Sequence, residues 1–167
     1  MTNKQKQGNG YINILSAVLI IAALGGIMLF RSGNKTADKT NDAFLEINQK
    51  EYDFGNIAIK DGNVNHIFEI KNVGGKEAKI TNIWTSCHCT TANVTINDKE
   101  GQEYGMNSET SFANEKIKPG ETAYLKVIFD PAFHGPMGTG YATRVIYLKT
   151  NDSVNKKIEL KINANVI

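Results

Sequence analysis

Cys87 and Cys89 are the only cysteines in this chain, and they stand in Ser86-Cys87-His88-Cys89-Thr90. A pair two positions apart cannot staple distant parts of a fold. Its uses are a soft metal site, a small redox disulfide or a buried packing element. In a strand, residues two apart share a face, so Cys87 and Cys89 would be neighbours and His88 would point away. All three side chains converge on one ion only if the backbone turns at His88. A disulfide needs Cα atoms about 4.4 to 6.8 Å apart, which a bent Cys-x-Cys reaches and an extended one barely does. Further donors stand in Phe133-His134-Gly135-Pro136-Met137-Gly138. Cys, His and Met are soft or borderline ligands suited to Cu(I), with Zn(II) next. The candidate metal ligands are therefore Cys87, Cys89, His88, His134 and Met137, and the competing use is a Cys87–Cys89 disulfide.

Catalytic signatures are missing. The chain has no Gly-rich phosphate loop, nucleophile elbow or zinc-protease helix. His88 on a strand is badly placed to activate either adjacent thiol. No catalytic residue is assigned, and the chain is read as a non-enzyme.

The elements that must position these residues are short strands. Asn65 to Lys71 alternates, with Ile67 and Glu69 on one face and Phe68 and Ile70 on the other. Ala78 to Trp84 places Ile80, Asn82 and Trp84 on one face, with Trp84 read as the large core residue. In Thr122 to Phe129, Ala123, Leu125 and Val127 oppose Tyr124, Lys126 and Ile128. With Phe44 to Phe54, Tyr141 to Lys149 and Lys157 to Val166, about seven strands separated by turn residues and no amphipathic helix indicate an antiparallel sandwich over residues 43–167. Asp98 to Glu115 is polar and Gly-containing, and it reads as a solvated loop, with a lid or binding loop as the alternative. His66 reads as a surface or core histidine. Arg144, Asp130 and Asp152 read as partners in structural ion pairs.

The N-terminal part differs. Tyr11 to Phe30 holds twenty residues without a charge. At about 1.5 Å per residue they span the roughly 30 Å hydrocarbon core. The sequence after them, Met28-Leu29-Phe30-Arg31, is a poor cleavage site, so the segment reads as an uncleaved signal anchor. Residues 1–10 are then a short cytoplasmic tail and residues 31–42 a flexible linker. Flanking charge nearly cancels, so the orientation rests on the large domain translocating and the tail staying inside. After the anchor, the Lys and Arg residues number 17 (the total of 19 less Lys4 and Lys6) against 17 acidic residues. A neutral domain without a basic block disfavours nucleic-acid binding.

Asp53-Phe54-Gly55, Phe68, Asn72, Gly74, Ser86-Cys87-x-Cys89-Thr90, Pro119-Gly120-Glu121, Phe129-Asp130, Gly135 and Thr150-Asn151 occur in a recognisable order. Over about Glu51 to Ile167 the chain resembles an uncharacterised bacterial domain family with a Ser-Cys-Gly-Cys-Thr signature. His88 stands where that signature has glycine. The resemblance implies an immunoglobulin-like fold, similar to ASH and major-sperm-protein domains, and export from the cytoplasm. It implies no activity. In such a sandwich, strands C and F are antiparallel neighbours. If Trp84 to Cys89 ends strand C and Tyr141 starts strand F, His134 and Met137 lie at the cysteine end.

The whole reads as an all-β, immunoglobulin-like antiparallel β-sandwich preceded by one N-terminal transmembrane helix. It is anchored in the cytoplasmic membrane with its domain outside the cytoplasm. The leading reading is a non-catalytic module that binds or scaffolds a protein partner. Soft-metal binding, copper foremost, and thiol–disulfide redox work both stay open.

Overall fold

A computed structural model describes residues 41–106 and 111–167. The expected tail, signal anchor and all but the end of the linker lie outside the described residues. Among the described residues no helix is long and apolar enough to cross a membrane.

The described chain forms ten strands: β1 (Leu45–Glu46), β2 (Glu51–Ile57), β3 (Val64–Asn72), β4 (Ala78–Thr85), β5 (Thr90–Ile96), β6 (Lys99–Tyr104), β7 (Phe112–Ile117), β8 (Thr122–Phe129), β9 (Gly140–Thr150) and β10 (Lys157–Val166). They make two five-stranded sheets, ordered β1-β3-β8-β5-β6 and β2-β10-β9-β4-β7. The sandwich expected from the sequence is there, with two corrections. The strands number ten rather than about seven. The second sheet is mixed, because β2 runs parallel to β10.

Alternation drives the core. Phe68 and Ile70 of β3 and Ala123, Leu125, Val127 and Phe129 of β8 are buried, while Ile67 and Tyr124 between them are exposed. Ile80, Ile83, Ile146, Leu148, Leu160 and Ile162 line the facing sheet. Each such aliphatic side chain contributes about 1.5–3 kcal/mol on burial.

Two readings of the strands change for physical reasons. A β-bulge between Ile80 and Asn82 breaks the period of two in β4. It turns Ile83 into the core, opposite Leu148, and sets Trp84 opposite Tyr147 on the other face. Trp84 is therefore buried, as expected of a large apolar residue, but outside the core between the sheets. It stacks on Tyr147 at 5.0 Å between centroids, with the Lys149 and Lys157 ammonium groups 5.9 and 5.8 Å from its ring. The second change concerns Asp98 to Glu115, which is not a plain loop. It contains β6 and part of β7, the edge strands of the two sheets. Their side chains are mostly exposed, so a hydrophobic period cannot mark them. The hairpin into β6 turns at Asn97 and Asp98, both with positive φ (50° and 61°), the conformation a two-residue primed turn requires.

One end of the sandwich is pinned by buried polar groups. The Asp152 carboxylate, fully buried, accepts from the backbone N–H of Leu45 (2.8 Å), Val154 (2.8 Å) and Asn155 (3.0 Å) and from Asn155 Nδ2 (3.0 Å). Asn72 Nδ2 donates to the carbonyls of Lys76 and Ile117, both at 2.8 Å, and its Oδ1 accepts from Gly74 N at 3.0 Å. Gly74 packs so closely that a Cβ there would lie 2.3 Å from the Asp42 carbonyl oxygen.

Candidate functional site

The other end carries the cysteines. β4 ends at Thr85 in one sheet and β5 begins at Thr90 in the other, so residues 86–89 cross between sheets. The crossing is short, and hydrogen bonds tie its backbone at Ser86, Cys87, Cys89 and Thr90. Thr85 Oγ1 donates to the carbonyls of Cys87 (3.0 Å) and Thr90 (2.9 Å). Ser86 N donates to the Val145 carbonyl, and Val145 N donates back to Ser86 Oγ, both at 2.9 Å. Thr90 N reaches the Cys87 carbonyl at 3.1 Å, which closes a tight turn with His88 and Cys89 at its centre. The extended geometry that would separate the cysteines from a common point is thus replaced by a turn.

That turn brings the Cys87 and Cys89 Sγ atoms to 2.8 Å, with both cysteines free. Cys89 is buried and Cys87 partly so. His134 comes from the β8–β9 connection. There Asp130 Oδ1 accepts from Ala132 N at 2.8 Å, Gly135 takes a positive φ of 58°, and Gly135–Gly138 forms a short 3-10 turn. A Cβ on Gly138 would meet His134 Cβ at 2.9 Å, so the glycine lets the loop close behind the imidazole. His134 Nε2 lies 3.3 Å from Cys87 Sγ. The three ligand atoms of Cys87, Cys89 and His134 fall within 4.8 Å of one another.

The other two candidate ligands, His88 and Met137, are both solvent-exposed. His88 is exposed and stacks against Phe133, 6.4 Å between centroids. Met137 is 93% exposed. His66 sits in an aromatic stack, 3.7 Å from Tyr52 and edge-on to Phe68 at 4.7 Å. Burial there lowers its pKa.

Arg144 is the residue the sequence reading placed wrongly. It was expected in an ion pair with an aspartate. Instead its Nε donates to Cys89 Sγ at 3.0 Å, its Nη1 donates to the Thr143 carbonyl at 3.0 Å, and its guanidinium lies 5.8 Å from the Phe129 ring centroid. Nothing in the spacing marks it, since 55 residues separate it from Cys89. Asp152 and Asp130 serve backbone amides instead.

The electrostatics make the two thiols unequal. Burial pushes the Cys87 thiol up, but hydrogen bonds with Cys89 and His134 and the Arg144 charge outweigh it and hold it at about 7. The Cys89 thiol is raised, by burial first and then by its bond to Cys87, against the pull of Arg144. An open cleft of about 250 Å³ beside Cys89, lined by His88, Thr91, Glu103, Asp130 and Phe133 among others, reaches solvent. A larger cleft of about 410 Å³ along β6 and β7 is lined by Lys and Glu side chains and holds no cysteine or histidine.

Two sulfurs and one imidazole nitrogen converging at a solvent-reached rim can hold a soft metal ion or perform thiol–disulfide exchange.

Residues 45–106, which include the cysteine turn, match the model of a family described as protein of unknown function (DUF1573). A protein of unknown function from Porphyromonas gingivalis W83 has a similar structure, with 18% identity and a TM-score of 0.58 over 80% of this chain and 51% of that one. The chain thus spans about half the length of that protein. The ASH / PapD-like domain 7 of human CEP192 is also similar, with 12% identity and a TM-score of 0.50 over 83% of this chain and 95% of that domain. At such identities the likeness is one of fold. No curated protein matches the chain.

Proposed function

We propose that the chain is a membrane-tethered, extracytoplasmic immunoglobulin-like module whose working part is a soft-metal site formed by Cys87, Cys89 and His134. The observation that carries this reading is the convergence of their ligand atoms within 4.8 Å, from two connections far apart in sequence. The donors are two thiols and an imidazole, the set that favours Cu(I) and then Zn(II). The Cys87 thiol near 7 lowers the proton cost of ligation at neutral pH. The tether and location rest on the uncharged run from Tyr11 to Phe30.

The reading gives the module a non-catalytic task, to bind the ion and present it at an accessible rim. Native mass spectrometry of the full chain in detergent, before and after Cu(I) addition under reductant, tests it. One copper per chain, lost in Cys87→Ser, supports the reading. No uptake by the reduced wild type rejects it.

The thiol asymmetry favours a second reading. A partly exposed Cys87 near 7 beside a buried Cys89 of raised pKa is the arrangement of an attacking and a resolving thiol. In that use Cys87 attacks a substrate disulfide and releases one thiol. Cys89 then attacks the mixed disulfide and releases the second, leaving Cys87–Cys89 oxidised. A two-hydrogen mass deficit together with failure to take up copper would favour it.

A further inference from the structure

We propose that Arg144 makes this site selective for a soft monovalent cation over a divalent one. The inference rests on the metal reading above and goes further, since it names the residue that sets the preference between the two ions.

The argument is one of charge. A cysteine that ligates a metal is deprotonated, and a ligating histidine is neutral. Cys87 and Cys89 therefore bring two negative charges and His134 none. Arg144 is permanently cationic, and its Nε lies 3.0 Å from Cys89 Sγ. The protein side of the centre thus carries one net negative charge. A monovalent ion neutralises it, whereas a divalent ion leaves one positive charge in excess.

That excess is costly on the side of Cys89, the more buried of the two thiols. Cys89 is 2% exposed, and the Arg144 guanidinium is partly buried over the Phe129 ring. An unpaired charge in such a place is unfavourable. Two carboxylates, Asp130 and Glu103, line the open cleft beside Cys89. Neither is a hydrogen-bond or ion-pair partner of Arg144 among the described residues, whose partners are Cys89 and the Thr143 carbonyl. Glu103 is exposed and screened by solvent, and half-buried Asp130 accepts from Ala132 N at 2.8 Å.

The test is a pair of competition titrations on the full chain in detergent. Cu(I), under reductant, is partitioned against a chromogenic Cu(I) chelator, and Zn(II) against a chromogenic Zn(II) chelator. The readout is the ratio of the two affinities in wild type, Arg144→Gln and Arg144→Lys, with thermal melts of the metal-free proteins as folding controls. Arg144→Gln should shift the ratio toward Zn(II) by about tenfold or more, and Arg144→Lys should keep most of the wild-type ratio. If Arg144→Gln does not fold, Arg144→Met takes its place, since its apolar chain can still cover Phe129. An unchanged ratio in the neutral variant overturns the role of Arg144 and leaves the metal reading standing. Equal shifts in the Lys and Gln variants trace the effect to packing and overturn it too. A wild type that binds neither ion overturns both readings.

Discussion

At one end of the sandwich the Asp152 carboxylate accepts four hydrogen bonds out of reach of solvent, and at the other Cys87, Cys89 and His134 meet at an open rim. Both ends hold polar or titratable side chains brought together from distant parts of the chain. They differ in whether those groups are used up. Asp152 and Asn72 spend their hydrogen-bonding capacity on backbone groups of β1, the β3–β4 turn, the end of β7 and the β9–β10 turn, so nothing is left for a ligand. At the cysteine end the hydroxyls of Thr85 and Ser86 satisfy the backbone and leave the thiols to one another, to His134 and to Arg144. A spent polar cluster holds a fold together, while an unspent one is available for chemistry.

The strongest way to break this contrast is Asp152→Ala. It strips a buried acceptor from four donors and should cost about 3–5 kcal/mol of stability, read by denaturant unfolding, without abolishing copper uptake. The same residue gives a pH signature. Burial opposes ionisation of Asp152, but its amide donors outweigh that and lower its pKa. Its stabilisation is therefore present above the unfolded carboxylate value of about 3.9 and is lost as pH falls through the lower folded value. Unfolding of Asp152→Asn should depend less on acid than that of wild type.

Gly74→Ala attacks the same end through sterics. Its Cβ would strike the backbone of Asp42 and Phe44 rather than a flexible side chain. A loss of about 3 kcal/mol is expected. A loss under about 0.5 kcal/mol would mean that the β1 approach is not tight.

Cys87→Ser should cost less than about 1 kcal/mol, because Cys87 is only partly buried, yet it should remove metal uptake. Alkylation sharpens the contrast. The Cys87 reaction should be half-maximal at about pH 7, and His134→Ala should move that midpoint upward. An unmoved midpoint would show that the imidazole does not hold the thiolate. The smallest effect belongs to Met137→Ala, which should change stability by less than about 0.5 kcal/mol and leave copper uptake as it was.

What the sequence made legible follows from what each element buries. β3 and β8 were readable because one face of each packs into the core and the other meets solvent. β5, β6 and β7 were not. Thr, Asn and Glu dominate them, β6 and β7 are edges, and only the Asn97-Asp98 turn marks the hairpin. Trp84 misled because a bulge shifts the face on which it falls. At the site, the soft donors and their shared end of the sandwich could be read from residue type and topology. The turn at His88 could not, since it depends on Thr85, Ser86 and Thr90 binding backbone groups. Arg144 was hidden because its partner is a thiol, and charge patterns in sequence suggest carboxylates.

The most direct test of the central claim is X-ray absorption at the copper edge on the full chain loaded with one Cu(I), in wild type and His134→Ala. The account predicts two sulfur neighbours and one nitrogen neighbour in wild type, with the nitrogen lost from the variant. A wild-type ion ringed by sulfur alone, or a spectrum that His134→Ala leaves unchanged, would contradict it.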